Sequence, residues 1–283
     1  MRSSSFCLVL ALGLSLSLNT QAIDLSDLQE IKLTTPAAFS DQLITTDMLI
    51  SGTTAMVATH ASDKSIAGAV YAYAMDENWR LSAIINSDYS ADNFARAIVL
   101  DNNRLLVNAD GDDQLGQDSG AVYLFERASA GRQWRQTAKI TAPDAQAGDR
   151  FGRGMALVGN MLYVGAPFRG QGKVYIFKQD EHLKWQFIES IVSEDPQAAR
   201  FGESIAQQAD TLIIGAPYTD ADNSTQAKTK QPRFAISRND TFDPGVESGA
   251  IFVYKQIDNQ WQFVSRLGST NRETADHLGE KVS

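Results

Sequence analysis

Apolar and polar residues alternate along most of the chain in short runs, with no helical period. In residues 149–188, four such apolar runs are separated by polar or glycine-containing turns, at 155–158, 161–164, 174–177 and 185–188. The runs are rich in β-branched and aromatic residues, and Gly159-Asn160 between the first two is typical of a two-residue hairpin turn. About 50 residues therefore predict four short β-strands, which we call A to D.

The same unit occurs four times along the chain. In each copy a glycine opens strand C, aromatic residues follow it at the third and fifth positions, and a tryptophan later opens strand D. The four glycines are Gly68, Gly120, Gly172 and Gly249, and the four tryptophans are Trp79, Trp134, Trp185 and Trp261. Strands B and C are apolar on both sides, as in sheets stacked face to face. Four-stranded units at this spacing predict the blades of a β-propeller.

Two short motifs recur within the unit. The third copy has Phe151-Gly152 before strand A and Gly165-Ala166-Pro167 at the end of strand B, and the fourth has Phe201-Gly202 and Gly215-Ala216-Pro217. The first two copies are weaker. The first copy has Ala58-Thr59-His60 in place of Gly-Ala-Pro. The second has Phe94-Ala95 in place of Phe-Gly and Asn108-Ala109-Asp110 in place of Gly-Ala-Pro. A fifth copy starts at His277-Leu278-Gly279.

These motifs resemble FG-GAP repeats, the blades of the β-propeller in integrin α chains, and look most like bacterial secreted proteins that carry such repeats. The resemblance covers roughly residues 28–283 and implies an all-β fold of four-stranded propeller blades. We expect a signal peptide at 1–22 and a partial propeller at 23–283. The expected blades are approximately 37–87, 88–143, 144–193 and 194–268, with the start of a fifth at 269–283.

The predicted ring is incomplete. Residues 28–36 resemble the strand D segment 134–143 and suggest a lone strand D before the first blade. The resemblance implies seven blades, so four blades plus fragments leave open edges that natural proteins avoid. Either the sequence is a truncated product or the N-terminal part of a longer protein, or a partner chain completes the propeller.

The N-terminus predicts export from the cytoplasm. Arg2 precedes an apolar run over residues 6–18, and Thr20-Gln21-Ala22 offers small residues for cleavage, as in a secretory signal. The run is too short to span a bilayer, so we expect no membrane span after cleavage and a secreted or periplasmic protein. Cys7, the only cysteine, lies in this run. A net charge of −9 without a basic cluster argues against nucleic acid as a partner.

Two loops between strands B and C are candidates for ligand binding. The acidic segment 110–118 in the second copy could be a calcium site, but its spacing departs from known calcium loops. The resemblance also places calcium loops between strands A and B, so we expect a solvated loop without metal. The second candidate is the polar insertion over residues 218–248. A loop of this length either binds a ligand or is a surface insertion that the fold tolerates. In a propeller, B–C loops and D–A connections emerge on one face. The candidate residues on it are Asp110, Asp112, Asp113, Asp118, Asp220, Asp222, Lys228, Lys230, Arg233 and Asp243.

The sequence lacks a recognisable catalytic motif. His60, His182 and His277 are far apart, and no nucleophile elbow or phosphate-binding loop occurs. We therefore expect a non-enzymatic binding or adhesion scaffold that contacts protein or glycan through the B–C/D–A face. The alternatives are a propeller that accompanies a catalytic domain in a longer secreted enzyme, and a remnant without activity.

Overall fold

The computed structural model describes residues 6–8, 31–33, 43–61, 68–86, 93–128, 133–219, 248–268 and 277–282. Every regular element in these ranges is a β-strand, as the sequence predicts. Within the same ranges, no helix is long and apolar enough to cross a membrane. A short antiparallel pair joins β1 (Phe6–Leu8), inside the predicted signal segment, to β2 (Ile31–Leu33), inside the segment expected to be a lone strand D.

Sixteen further strands form four antiparallel sheets of four strands each, which confirms the predicted blade architecture. In every sheet the strands follow chain order, so A pairs with B, B with C and C with D. The first sheet contains β3 (Leu43–Ser51), β4 (Thr54–Ala61), β5 (Ala69–Met75) and β6 (Trp79–Asn86). The second contains β7 (Phe94–Asp101), β8 (Arg104–Ala109), β9 (Ala121–Arg127) and β10 (Trp134–Ile140). The third contains β11 (Met155–Val158), β12 (Met161–Ala166), β13 (Lys173–Gln179) and β14 (Trp185–Val192). The fourth contains β15 (Ser204–Gln208), β16 (Thr211–Ala216), β17 (Ala250–Ile257) and β18 (Gln260–Gly268).

The sheets stack face to face as propeller blades. Strand A of each blade contacts strand A of the next, so β7 touches both β3 and β11, and β11 touches β15. Three apolar clusters fill the spaces between successive blades; one of them joins Tyr163 and Ile176 of the third blade to Ile214 of the fourth. The strands A therefore lie at the axis and the strands D at the rim. The described residues form an open arc of four blades and no closed ring.

The Phe-Gly motif joins neighbouring blades through its backbone. The motif or its equivalent occurs four times, and we call these four pairs the Phe-Gly junctions: Phe94-Ala95, Phe151-Gly152, Phe201-Gly202 and Leu278-Gly279. Phe201 N donates to Gln171 O of the preceding blade at 2.9 Å, whereas Gly202 N donates to Gly215 O of its own blade at 3.0 Å. Equivalent bonds link Phe151 to Ser119 and Leu278 to Ser248. The junctions at Phe151 and Phe201 thus each bond to two blades at once, which explains why the motif precedes strand A.

The same phenylalanines explain the two aromatic residues of strand C. Phe151 packs edge-on against Tyr175 and Phe177, with ring centroids 5.5 and 6.1 Å apart. Phe94 meets Tyr123 and Phe125 in the second blade, and Phe201 meets Phe252 and Tyr254 in the fourth, in the same arrangement. Three repeats therefore build the same buried aromatic triad. Each triad belongs to an apolar cluster that also contains residues of the preceding blade, which confirms the sequence interpretation of these residues as packing between blades.

A β-bulge recurs on strand D three residues after each tryptophan. Pairing between strands C and D slips there in every blade, so one residue of strand D has no partner. The extra residues are Ser82, Thr137, Ile188 and Val264. In the first blade the Ser82 hydroxyl donates to Ala72 O at 3.0 Å. Because a bulge increases the local twist, its repetition gives all four rim strands the same bend.

Candidate ligand-binding face

The B–C loops and the D–A connections lie on one face, as the sequence predicts. In the second blade, the B–C loop over residues 110–119 is hydrogen-bonded to the connection that enters the third blade. Gly148 N donates to Gln117 O at 2.8 Å and Arg150 N donates to Asp118 O at 3.0 Å. We call the surface formed by these loops the B–C/D–A face.

The long insertion of the fourth blade starts and ends on this face. Thr219 O accepts a bond from Gly249 N at 2.9 Å, and the Thr219 hydroxyl accepts one from Ala199 N at 3.1 Å. Residues 220–247 lie outside the described residues. Six of the sequence candidates are among them: Asp220, Asp222, Lys228, Lys230, Arg233 and Asp243.

The expectation of a solvated acidic loop is wrong for Asp110. Its side chain is fully buried at the end of β8. Arg153 Nη1 donates to Asp110 Oδ2 at 3.2 Å, and Arg150 Nη1 lies 3.7 Å from the same oxygen. Because two arginines from the next blade neutralise it, Asp110 joins the blades and does not face a ligand.

Asp112 is likewise buried instead of solvated. Its Oδ2 accepts a hydrogen bond from the Tyr123 hydroxyl at 3.2 Å and lies 2.5 Å from Lys139 Nζ. Burial alone would lower the pKa of Lys139, but the bonds to Asp112 and Tyr123 outweigh burial and raise it. This ion pair fixes the base of the loop to β9 and β10.

The remaining two candidates reach the surface of the loop. Asp113 is exposed, and its Oδ1 accepts a bond from Asp118 N at 2.7 Å. Asp118 is half-buried, with Oδ2 3.4 Å from Arg150 Nη2. In the described part of the chain, no group of three or more His, Cys, Asp or Glu side chains is arranged to hold a metal ion. The expectation that this loop holds no metal stays a prediction from sequence.

A charged cluster lies at the axis, and sequence reasoning missed its members. Arg153 donates from Nη2 to Glu203 Oε1 at 2.6 Å, in addition to its bond to Asp110. Burial disfavours the charged form of Arg153, but Glu203 and Asp110 outweigh it and raise its pKa. The pKa of His60, at the end of β4, is lowered mainly by burial and secondly by the positive charge of Arg96. The available signal was positional, because Arg96, Arg153 and Glu203 each directly follow a Phe-Gly junction.

A row of alternating cationic and aromatic side chains crosses the B–C/D–A face. We call it the cation–aromatic row, and its members in order are Arg150, Phe168, Arg200, Tyr218 and His277. The Arg200 guanidinium carbon lies 4.7 Å from the Phe168 ring centre and 3.7 Å from that of Tyr218. The rings of Tyr218 and His277 are 4.6 Å apart. The row extends from the third blade to the start of the fifth.

Asp144, on the D–A connection, supplies a pH-dependent contact to this face. Burial would raise the pKa of Asp144, but hydrogen bonds from Tyr175 (2.6 Å) and Lys173 (2.9 Å) outweigh burial and lower it. A lowered pKa stabilises the fold above the unfolded value near 4, and this contribution disappears as the pH falls through the folded pKa. Because the side chain is 44% exposed, the contribution is below about 1 kcal/mol.

We therefore expect Asp144→Asn to be less stable than the unchanged protein at pH 7 and equally stable near pH 2. Urea denaturation at a series of pH values measures the difference. Glu181→Gln is the control, because the Glu181 side chain is 88% exposed on a C–D turn. A difference that persists unchanged at pH 2 would contradict the assignment.

Together these features define a β-propeller arc whose blades join through Phe-Gly junctions. A family model described as the FG-GAP repeat matches residues 80–125 and 134–177. Each match begins at strand D of one blade and ends at strand C of the next. These two segments thus carry FG-GAP repeats.

Known proteins resemble parts of the chain. Integrin alpha-PS5 from Drosophila melanogaster is 33% identical in an alignment of 135 positions that covers 41% of this chain and 13% of that protein. A proposed 6-phosphogluconolactonase from Bacteroides uniformis ATCC 8492 has a TM-score of 0.51 at 8% identity, covering 84% of this chain and 64% of the other. Another proposed 6-phosphogluconolactonase, from Bacteroides fragilis NCTC 9343, has a TM-score of 0.50 at 12% identity and covers 88% of this chain and 63% of its own. At these identities the two structures are alike in fold alone. The chain spans less than two thirds of each protein.

Proposed function

We propose that this protein is an extracytoplasmic, non-enzymatic binding module whose B–C/D–A face contacts a macromolecular ligand. The observation that supports it most directly is the cation–aromatic row, which presents charged and aromatic groups on well-packed blades. Arg and aromatic residues are the side chains most enriched at the centres of protein interfaces. The FG-GAP repeats and the similarity to an integrin α chain favour adhesion as the setting.

The opposite face offers a different set of groups. Its A–B and C–D turns carry short polar residues, among them Asn102 and Asp180, which bond within their own turns. On the B–C/D–A face, the cation–aromatic row crosses from blade to blade. A ligand bound there would touch side chains of several repeats at once, which suits recognition of an extended partner.

A site-specific block tests which face binds. In a Cys7→Ser background, Asp113→Cys and Glu181→Cys each receive a maleimide-linked polyethylene glycol chain. Both positions are exposed, one on each face. The probe is binding of the labelled proteins to an array of immobilised peptides and glycans.

We expect the polymer at position 113 to reduce array binding at least tenfold and the polymer at position 181 to leave it unchanged. Unmodified cysteine variants control for the substitutions themselves. Equal loss at both positions, loss at position 181 alone, or no binding to any array member would overturn the proposal.

A further inference from the structure

The cation–aromatic row is built by the repeat itself. Arg150, Arg200 and His277 each directly precede a Phe-Gly junction, while Phe168 and Tyr218 each directly follow a Gly-Ala-Pro motif. Successive blades therefore interleave one residue from a D–A connection with one from a B–C loop. This regular construction places a guanidinium or imidazole group beside each ring.

The backbone before each junction is held in an uncommon conformation. Arg150, Arg200 and His277 have φ values of 51°, 58° and 50°. This left-handed region is uncommon for residues other than glycine, and such strained positions concentrate at sites of function. Asparagine adopts it at lower cost, as Asn93 does before Phe94 with a φ of 51°, yet two of the four positions carry arginine. The conformation directs a long cationic side chain onto the B–C/D–A face.

Arg150 and Arg200 differ in what their guanidinium groups bind. Arg150 Nη2 lies 3.4 Å from Asp118 and Nη1 lies 3.7 Å from Asp110, so its charge is neutralised within the protein. Arg200 packs against Phe168 and Tyr218, and among the described residues no carboxylate lies within ion-pair distance of it. Its guanidinium carbon lies over both rings, and the two parallel N–H donors of a guanidinium match a carboxylate.

The rings beside Arg200 favour a peptide over a sugar. Phe168 has both Arg150 and Arg200 over its ring, and Tyr218 has Arg200 and His277 against its own. Ring faces that already carry these partners are poorly placed to stack on a sugar ring. Phe168 is still 39% exposed, so its rim offers an apolar contact next to the guanidinium. A carboxylate beside an apolar side chain fits this pair.

We propose that Arg200 is a carboxylate-binding residue for an acidic, partly apolar peptide segment of the ligand. This assignment rests on the proposed function of the B–C/D–A face. The net charge of the chain, −9, opposes an acidic partner at long range, but salt screens that repulsion beyond about 8 Å. Contact with a stacked guanidinium acts within this distance and determines the affinity.

Fluorescence polarisation tests the proposal with three defined probes: a labelled peptide of alternating Glu and Leu, its Gln-and-Leu counterpart, and a hyaluronan oligosaccharide. We expect the Glu peptide to bind and the other two to bind at least tenfold more weakly. Arg200→Ala and Arg200→Lys should each reduce Glu-peptide affinity at least tenfold, because lysine keeps the charge but lacks the planar pair of donors. Arg135→Ala, an exposed arginine on β10, should leave it unchanged.

A variant that relieves the backbone separates binding from folding. Arg200→Asn suits a φ of 58°, so it should keep the melting temperature while losing Glu-peptide affinity. Unchanged affinity in Arg200→Ala or Arg200→Lys, preferential binding of hyaluronan, or no binding of the Glu peptide would overturn the assignment. If polymer at position 113 still blocks array binding in that case, the proposed function stands and the role of Arg200 alone fails.

Discussion

The Phe201→Ala variant is expected to lose about 3–5 kcal/mol of its free energy of unfolding. Phe201 is fully buried, and its ring lies 5.3 Å from Phe252 and 6.3 Å from Tyr254. The cluster that contains it also includes residues of the preceding blade, such as Ile176. Removing the ring therefore leaves a cavity between the third and fourth blades. The backbone bond from residue 201 to Gln171 O survives in alanine, so the variant isolates the side chain.

Phe263→Ala is the matched control for this prediction. Its ring packs on the same two partners, 6.3 Å from Phe252 and 5.7 Å from Tyr254, but Phe263 is 42% exposed on the rim strand. We expect a loss of about 1 kcal/mol. Urea denaturation followed by circular dichroism measures both variants. Equal losses would show that the Phe-Gly junction stabilises the fold no more than a rim contact does.

The blades could be predicted from sequence because their determinants are local. Gly159-Asn160 does form the turn between β11 and β12, and the alternating apolar runs do form strands. The shared face of the B–C loops and D–A connections follows from the order of strands alone. In each case the information lies within one repeat of about 50 residues.

The weaker second copy shows where local reasoning ends. Asn108 occupies the position that the glycine of Gly-Ala-Pro has in the third and fourth copies, and the sequence does not indicate how a side chain fits there. In the structure Asn108 Oδ1 accepts a bond from Ala97 N at 2.7 Å. The pairing of β7 with β8 slips between Phe94 and Ile98 to allow it. A side-chain acceptor thus serves the strand A backbone where the third and fourth blades use regular pairing.

The charges of the acidic loop could not be placed because their partners belong to other strands and blades. Asp110 meets Arg153, 43 residues later, and Asp112 meets Lys139 on a different strand. Read in isolation, closely spaced Asp and Gly residues indicate an exposed turn. Burial became favourable only once the fold supplied cations next to them. The cation–aromatic row was missed for the same reason, since its neighbours are about 20–60 residues apart in sequence.

Gly165→Ala is the second large effect that we expect, a loss of about 3 kcal/mol or more. A Cβ at Gly165 would lie 1.9 Å from Gly202 O and 2.8 Å from Gly202 C, both backbone atoms of the neighbouring Phe-Gly junction. Such a contact is relieved only by moving the blades apart. Gly215 meets Gly279 O at the same 1.9 Å, so the close approach repeats at the next junction. In the third and fourth blades the glycine of Gly-Ala-Pro is therefore required for blade contact, because an ordinary β-carbon does not fit at Gly165 or Gly215.

Gly268→Ala controls for the loss of a glycine as such. The nearest atom to a Cβ at Gly268 is Arg266 Nη1 at 3.4 Å, the end of a flexible side chain. Neither Gly165 nor Gly268 has a positive φ, so alanine causes no backbone strain at either position. We expect Gly268→Ala to change the free energy of unfolding by less than about 1 kcal/mol. Similar urea midpoints for the two variants would mean that the blades separate at little cost, and would refute close glycine contact as the basis of the repeat.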